Sequence, residues 1–288
     1  MKFQKLIIMM VGPLVILLSP FIHAATTISA ANHYAYAANL GWLDWHGDTT
    51  NGAVIGEYVC SGNLYSANVG WINLGSGSPT NGIYYQNLSA DDFGVNQDGL
   101  GNLRGYAYGA NIGWINFENT GAPKLDLSSG NLSGSVWSAN CGWISLSNAV
   151  AYLQTDTIRP SALASDGLPS AWLLAYFGTT TVDASADPDH DGMSNGEEYL
   201  AGTNPNDAND YLRITSITRG SPTTTYTTLT WSGKMTRCYA VQRRTALAPG
   251  DFWLEFFTST FPGATSIGFD QTAGQQFYRV RAFRPLMP

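Results

Sequence analysis

Residues 36–45 read Y-A-A-N-L-G-W-L-D-W, and the frame recurs as Y-S-A-N-V-G-W-I-N-L at 65–74, Y-G-A-N-I-G-W-I-N-F at 108–117 and W-S-A-N-C-G-W-I-S-L at 137–146. A frame of the form [YW]-[AGS]-A-N-x-G-W-[IL]-x-[LFW] is an internal repeat, and repeats decide architecture before any single element does. The central asparagines Asn39, Asn68, Asn111 and Asn140 lie 29, 43 and 29 residues apart, so first to third and second to fourth are both 72. That regularity points to duplication of a two-unit block.

The physics of one unit predicts a β-hairpin. A-N-x-G is flanked by alternating residues, and Asn and Gly are the residues that tolerate positive φ in a tight turn. Alternation places Trp42, Trp71, Trp114 and Trp143 on one face with Asp44, Asn73, Asn116 and Ser145. Leu43, Ile72, Ile115 and Ile144, with Trp45, Leu74, Phe117 and Leu146, fall on the other, which is the expected core side. Further G-N-L steps at 62–64, 101–103 and 130–132 predict about three strands per unit and ten or more in all. A sandwich, a closed barrel and a blade-like array all satisfy this pattern. One unit cannot bury its apolar face alone, so the four are expected to fold together.

These segments resemble the G-x-A-W-S-x-N-x-G-W-I-x-F repeats of exported bacterial proteins. The resemblance implies an extracellular β-rich repeat over residues 25–156 and brings no catalytic residue with it. The repeated residues admit two roles. Trp42, Trp71, Trp114 and Trp143 with Asn39, Asn68, Asn111 and Asn140 could bind sugars, since exposed Trp faces stack on sugar rings and Asn both donates and accepts hydrogen bonds. Alternatively, Asn closes the turn and Trp covers the neighbouring hairpin.

The whole chain has 288 residues, a formal charge of −7 and 12% charged residues. Such low charge with many polar turn residues suits β-structure. Residues 1–24 read as a secretory signal: Lys2 and Lys5, then an apolar run, then a small residue, Ala24, at a cleavage site. The mature protein is expected to be secreted or held at the cell surface, with no transmembrane segment after signal removal. Of its three cysteines, Cys60 and Cys141 are the one pair inside one domain. A disulfide between them and a buried Cys141 thiol are both open, and Cys238 reads as a buried thiol.

Residues 187–198 read D-P-D-H-D-G-M-S-N-G-E-E and fit the calcium-loop template D-x-[DN]-x-[DN]-G-x5-E without mismatch. Asp187, Asp189 and Asp191 take loop positions 1, 3 and 5; Met193 offers a carbonyl at 7, Asn195 stands at 9 and Glu198 at 12. So many oxygen ligands suit Ca2+ better than Mg2+. Ser194 and Glu197 predict a capping box for a helix over 195–201, closed by Gly202. Upstream, Pro169 and Gly178 bracket a helix carrying Trp172, Leu173, Tyr176 and Phe177. The stretch 166–205 resembles a calcium unit of exported bacterial proteins related to thrombospondin type 3-like repeats, which implies calcium and no substrate. It departs from that pattern at Ser170 and at Gly196, where an apolar residue is common.

Residues 157–165 read as a linker and 166–210 as a helix–loop–helix calcium unit. Six short alternating runs in 211–288 argue an immunoglobulin- or fibronectin III-like sandwich. This region has nine basic residues and three acidic, against two basic and nine acidic in 25–156. Arg243, Arg244, Arg279, Arg281 and Arg284 are candidates for a basic face; without interleaved aromatics, nucleic acid is not expected.

No Ser-His-Asp, Cys-His or H-E-x-x-H constellation is visible, and Asp44 and Glu57 are unmotivated as a glycosidase pair. The expected function is therefore a non-catalytic calcium-binding exported or cell-surface protein with a structural or adhesive role. The alternatives are a carbohydrate-binding module and an accessory or degenerate hydrolase. The expected partner is extracellular, a polysaccharide or cell-surface component. A row of exposed Trp rings would favour the carbohydrate reading.

Overall fold

The computed structural model describes residues 26–47, 50–219, 226–246, 252–270 and 275–287; the candidate signal segment lies outside them. Each repeat forms the expected hairpin. The pairs are β1 (Ile28–Ala37) with β2 (Gly41–Asp44), β3 (Ser61–Ser66) with β4 (Gly70–Ser76), and, after β5 (Val95–Gln97), β6 (Leu103–Gly109) with β7 (Gly113–Asn116). After the short strands β8 (Lys124–Leu125) and β9 (Asn131–Ser133), β10 (Ser135–Ser138) pairs with β11 (Gly142–Ser145), and β12 (Leu153–Thr155) follows.

The four hairpins close into an eight-stranded antiparallel barrel, because β11 pairs back onto β1. Every junction between units uses the same register. The first aromatic of one repeat pairs with the small polar residue of the unit before it: Tyr65 with Asp44, Tyr108 with Asn73, Trp137 with Asn116 and Tyr36 with Ser145. Closure removes both sheet edges from the barrel itself. β12, β9 and β8 extend the sheet beyond β1, and β5 pairs with β6.

The alternation holds throughout. Leu43, Trp45, Ile72, Leu74, Ile115, Phe117, Ile144 and Leu146 fill one interior core and are almost wholly buried. The turns differ from the expectation in one respect. The glycines take positive φ, at 78°, 79°, 72° and 80° for Gly41, Gly70, Gly113 and Gly142, whereas the asparagines do not. Each hairpin turns on a three-residue loop with the N–H of residue x bonded back to the end of the first strand, as in Leu40 to Ala37 and Ile112 to Gly109. That is a type I turn followed by a glycine in the left-handed region, which matches strand twist. Residue x then drops inward: Leu40, Ile112 and Cys141 are buried, and Val69 packs against the same core.

Beyond the barrel come α1 (Ser170–Phe177) and α2 (Asn195–Ala201), ended by Gly178 and Gly202 in the left-handed region. Both capping-box bonds of Ser194 and Glu197 are present. Then β13 (Ile214–Arg219), β14 (Tyr226–Trp231), β15 (Cys238–Arg244), β16 (Leu254–Thr258), β17 (Ser266–Asp270) and β18 (Phe277–Phe283) form two three-stranded sheets, β13-β14-β17 and β16-β15-β18. Leu229 and Trp231 from one sheet meet Tyr239 and Val241 from the other in a shared core, which makes this region a sandwich. After β18 the chain returns to the barrel, where Leu286 accepts hydrogen bonds from Ile158 and Thr157. Among the described residues, no helix is long and apolar enough to cross a membrane.

The cysteines take the second of the two open alternatives. Cys60, Cys141 and Cys238 are all free and buried, so the Cys60–Cys141 disulfide is not formed. Cys141 plugs a hairpin turn at the barrel end, whereas Cys60 is held by its N–H on the Val95 carbonyl beside β5. Burial pushes the Cys60 thiol up to about 12.

Candidate metal centre

The loop before α2 brings Asp187, Asp189 and Asp191 together, with one carboxylate oxygen of each within 4.8 Å of the others. The backbone sets their directions. Asp187 accepts from the Gly192 N–H at 3.0 Å, Asp189 from Asp191 at 3.3 Å and Asp191 from Met193 at 2.7 Å. In each case one oxygen is spent on the loop, while the other is buried without a partner. Gly192, at φ 96°, allows the reversal that brings the chain back over these carboxylates.

Glu198, one turn into α2, is fully buried, and neither of its carboxylate oxygens has a partner. Asn195, also fully buried, gives its amide nitrogen to the Asp183 carbonyl at 2.8 Å and leaves its oxygen free. Burial, then the charges of Asp189 and Asp191, push the Glu198 carboxyl up to about 7. Burial does the same to Asp191 in direction. Two carboxyls that resist ionisation beside other acids mark a place where a cation would be favourable. The donor set is all hard oxygen, as Ca2+ requires. The residues that would hold the ion are Asp187, Asp189, Asp191, Asn195 and Glu198, with the Met193 carbonyl in its sequence position. His190 is exposed, as its place between ligands implies.

One polar residue escaped the sequence reading. Thr203 is buried beside Glu198, with its side chain directed at that carboxylate. The only signal for it was the G-T-N-P run after the helix. At Gly196 the N–H reaches the Ala184 carbonyl at 2.9 Å, and a Cβ there would come to an ordinary contact of 3.4 Å with that oxygen, so the local backbone does not require glycine.

Comparison with protein families, curated proteins and solved structures gave no match.

The centre is wired to the rest of the molecule through the next residue, Tyr199. Its hydroxyl donates to Glu57 of the barrel at 3.3 Å and accepts from Arg284 at 2.5 Å. Arg284 also pairs directly with Glu57 and lies 4.9 Å over the Tyr199 ring. Arg237 of the sandwich donates to the Tyr199 and Leu200 carbonyls at 2.8 and 2.7 Å, satisfying the open end of α2. Glu57 is thus part of a structural junction. Asp44 accepts from the ring of His33 at 2.7 Å and from the His46 N–H at 2.9 Å. The two carboxylates singled out by sequence do not form a pair.

The outer barrel face carries the remaining candidates. Trp42, Trp71, Trp114 and Trp143 are each 45–46% exposed. They form a belt around the barrel, one per unit, each inclined at 59–64° to the first aromatic of its own hairpin at 4.9–5.1 Å between ring centres. The asparagines serve the fold. Asn68 donates to the Leu40 carbonyl, Asn111 to Val69 and Asn140 to Ile112, each at 2.9 Å, and Asn39 completes the circle to Cys141 at 3.2 Å.

The basic face is smaller than expected, since Arg284 is drawn into the junction. It is also not free of aromatics: Arg244 and Arg279 both stack on the Trp253 ring at 4.5 Å.

Proposed function

We propose that this chain is a non-catalytic calcium-binding protein of the cell exterior, with a structural or adhesive role. The observation that carries the reading is Glu198: a fully buried carboxylate with two unpartnered oxygens, facing three aspartates. Burying an ionised carboxylate without compensation costs several kcal/mol. A bound divalent cation offsets that cost for all four acids together. The loop occurs once, beside a junction that ties the barrel, the calcium unit and the sandwich, so its role is to fix their arrangement. Export rests on residues 1–24 and on the resemblance of the repeats.

The test is titration calorimetry of the ion-free protein with Ca2+ and Mg2+, on the parent and on Asp189→Ala. One Ca2+ per chain, bound more tightly than Mg2+ and lost in the variant, supports the reading. Absence of heat with Ca2+ overturns it. Amino-terminal sequencing of the mature protein tests cleavage after Ala24.

A further inference from the structure

We propose that the barrel binds a neutral saccharide on its outer face, in the cleft formed by Trp137, Trp143, Asn116, Glu118 and Thr120, and this rests on the adhesive reading above. Hairpin pairing explains why outward aromatics meet in pairs, since cross-strand aromatic contacts stabilise a sheet. It does not explain the walls beside this pair. The segment after β7 folds back against it and borders an open cleft of about 270 Å³.

The wall is built for that position. A Cβ on Gly121 would come to 1.9 Å from the Ser135 carbonyl and 2.9 Å from the Trp143 ring, so only glycine lets the segment lie there. Glu118 is held at both ends: its N–H donates to Asn116 Oδ1 at 2.5 Å, and its Oε1 accepts from the Gly105 N–H at 3.0 Å. Glu118 Oε2, the Asn116 amide nitrogen and the Thr120 hydroxyl have no hydrogen-bond partner among the described residues. Two carboxylate or hydroxyl acceptors and an amide donor therefore stand beside an exposed aromatic surface.

That combination fits a pyranose ring. Its apolar C–H face covers indole, and its equatorial hydroxyls need both acceptors and donors at the rim. Residues 25–156 carry nine acidic and two basic residues, which disfavours acidic sugars. One unit earlier, Trp114, Tyr106 and Phe93 with Asn87 and Ser89 line a second cavity of about 450 Å³. The two clefts flank the same strand, since Trp114 of one and Asn116 of the other lie two residues apart on β7.

This assignment moves the polar half of the site. The repeat asparagines spend their amides on neighbouring units, and the groups at the ring come from the connection after the third hairpin. The experiment titrates the full mature protein, saturated with Ca2+, with cellotetraose, maltotetraose and chitotetraose, followed by Trp fluorescence and calorimetry. At least one should bind, and Trp143→Ala and Glu118→Gln should each weaken it tenfold or more, while Trp42→Ala should not. Unchanged melting curves show that the variants still fold. No binding by any of the three sugars overturns the proposal, as does equal loss in Trp42→Ala and Trp143→Ala. Glu118-dependent binding of tetramethylammonium without sugar binding overturns it in favour of a cation site. Calcium binding measured on the same samples separates failure here from failure of the calcium reading.

Discussion

Glu57 and Arg284, 227 residues apart, form a buried ion pair that joins the barrel to the end of the chain. The side chains are 1% and 14% exposed, and the Tyr199 hydroxyl bridges them. Removing one partner of such a pair strands the other in a dry site, at a cost of about 3–5 kcal/mol. Arg284→Met is therefore expected to lose that much stability in denaturant unfolding. The double variant Glu57→Gln/Arg284→Met should lose less than the sum of the single changes. A loss below about 1 kcal/mol in Arg284→Met would remove the junction as a stabilising element.

Glu198 and Tyr199 are neighbours on α2, so an ion bound at Glu198 and the junction at Tyr199 would hold the same helix from opposite ends of one peptide unit. Calcium at a hundredfold excess over its dissociation constant should add about 2.7 kcal/mol. In a chain of this size that corresponds to roughly 5–10 °C in melting temperature. Chelator should reverse the gain and speed amide exchange in α2. Equal melts with and without chelator would contradict a structural site.

The pH dependence follows from Glu198, whose carboxyl is pushed up to about 7 by burial and by Asp189 and Asp191. Its unfolded value is about 4.3. Without the ion, the folded state therefore holds the proton more tightly than the unfolded state does. Stability from this group is complete below about pH 4 and is lost as pH rises through about 7. Calcium competes with that proton. Its affinity should rise from pH 5.5 to 7 and level off above, with proton release at pH 5.5 that vanishes by pH 8. Calorimetry in two buffers of different ionisation enthalpy reads this directly, and a flat affinity would refute it.

The three buried thiols should resist a thiol reagent in the folded protein and react together on unfolding. Burial holds Cys60 at about 12, far from any thiolate population at neutral pH. A non-reducing gel should show no shift for the parent or for Cys141→Ser. Rapid labelling of Cys60 in the native state would contradict its packing.

The repeat frame disclosed the hairpins, their faces and the buried set, because a period of two along each strand is local information. The barrel was not readable from it. Closure depends on β11 meeting β1, a contact between residues 36 and 145 that no single unit encodes. The aspartate cluster and the helix cap after it were the most legible features, since Asp187, Asp189 and Asp191 lie within five positions and the cap is local chemistry. The Glu57–Arg284 junction was invisible for the opposite reason: it is defined by partners that only folding brings near. The absence of a clear repeat of Trp253 likewise hid its place between Arg244 and Arg279.

The asparagine circle gives a prediction that separates folding from binding. Each of Asn39, Asn68, Asn111 and Asn140 ties its turn to the carbonyl of the preceding unit, and the last link joins the first unit to the fourth. Asn68→Ala should cost about 1 kcal/mol, the usual net value of one hydrogen bond. Asn68→Asp should cost more, because a carboxylate would face the Leu40 carbonyl in an already acidic barrel. Adjacent links share a turn, as Asn39 stands next to the Leu40 whose carbonyl Asn68 takes, so the quadruple alanine variant should lose more than any single change and depart from the sum of the four. Denaturant unfolding of the singles and the quadruple measures this. Sugar affinity at the Trp143 cleft should be unchanged in Asn68→Ala, while Trp143→Ala should show the reverse pattern. If Asn68→Ala left stability intact and weakened sugar binding instead, the asparagines would belong to the recognition surface and the circle would not hold the barrel.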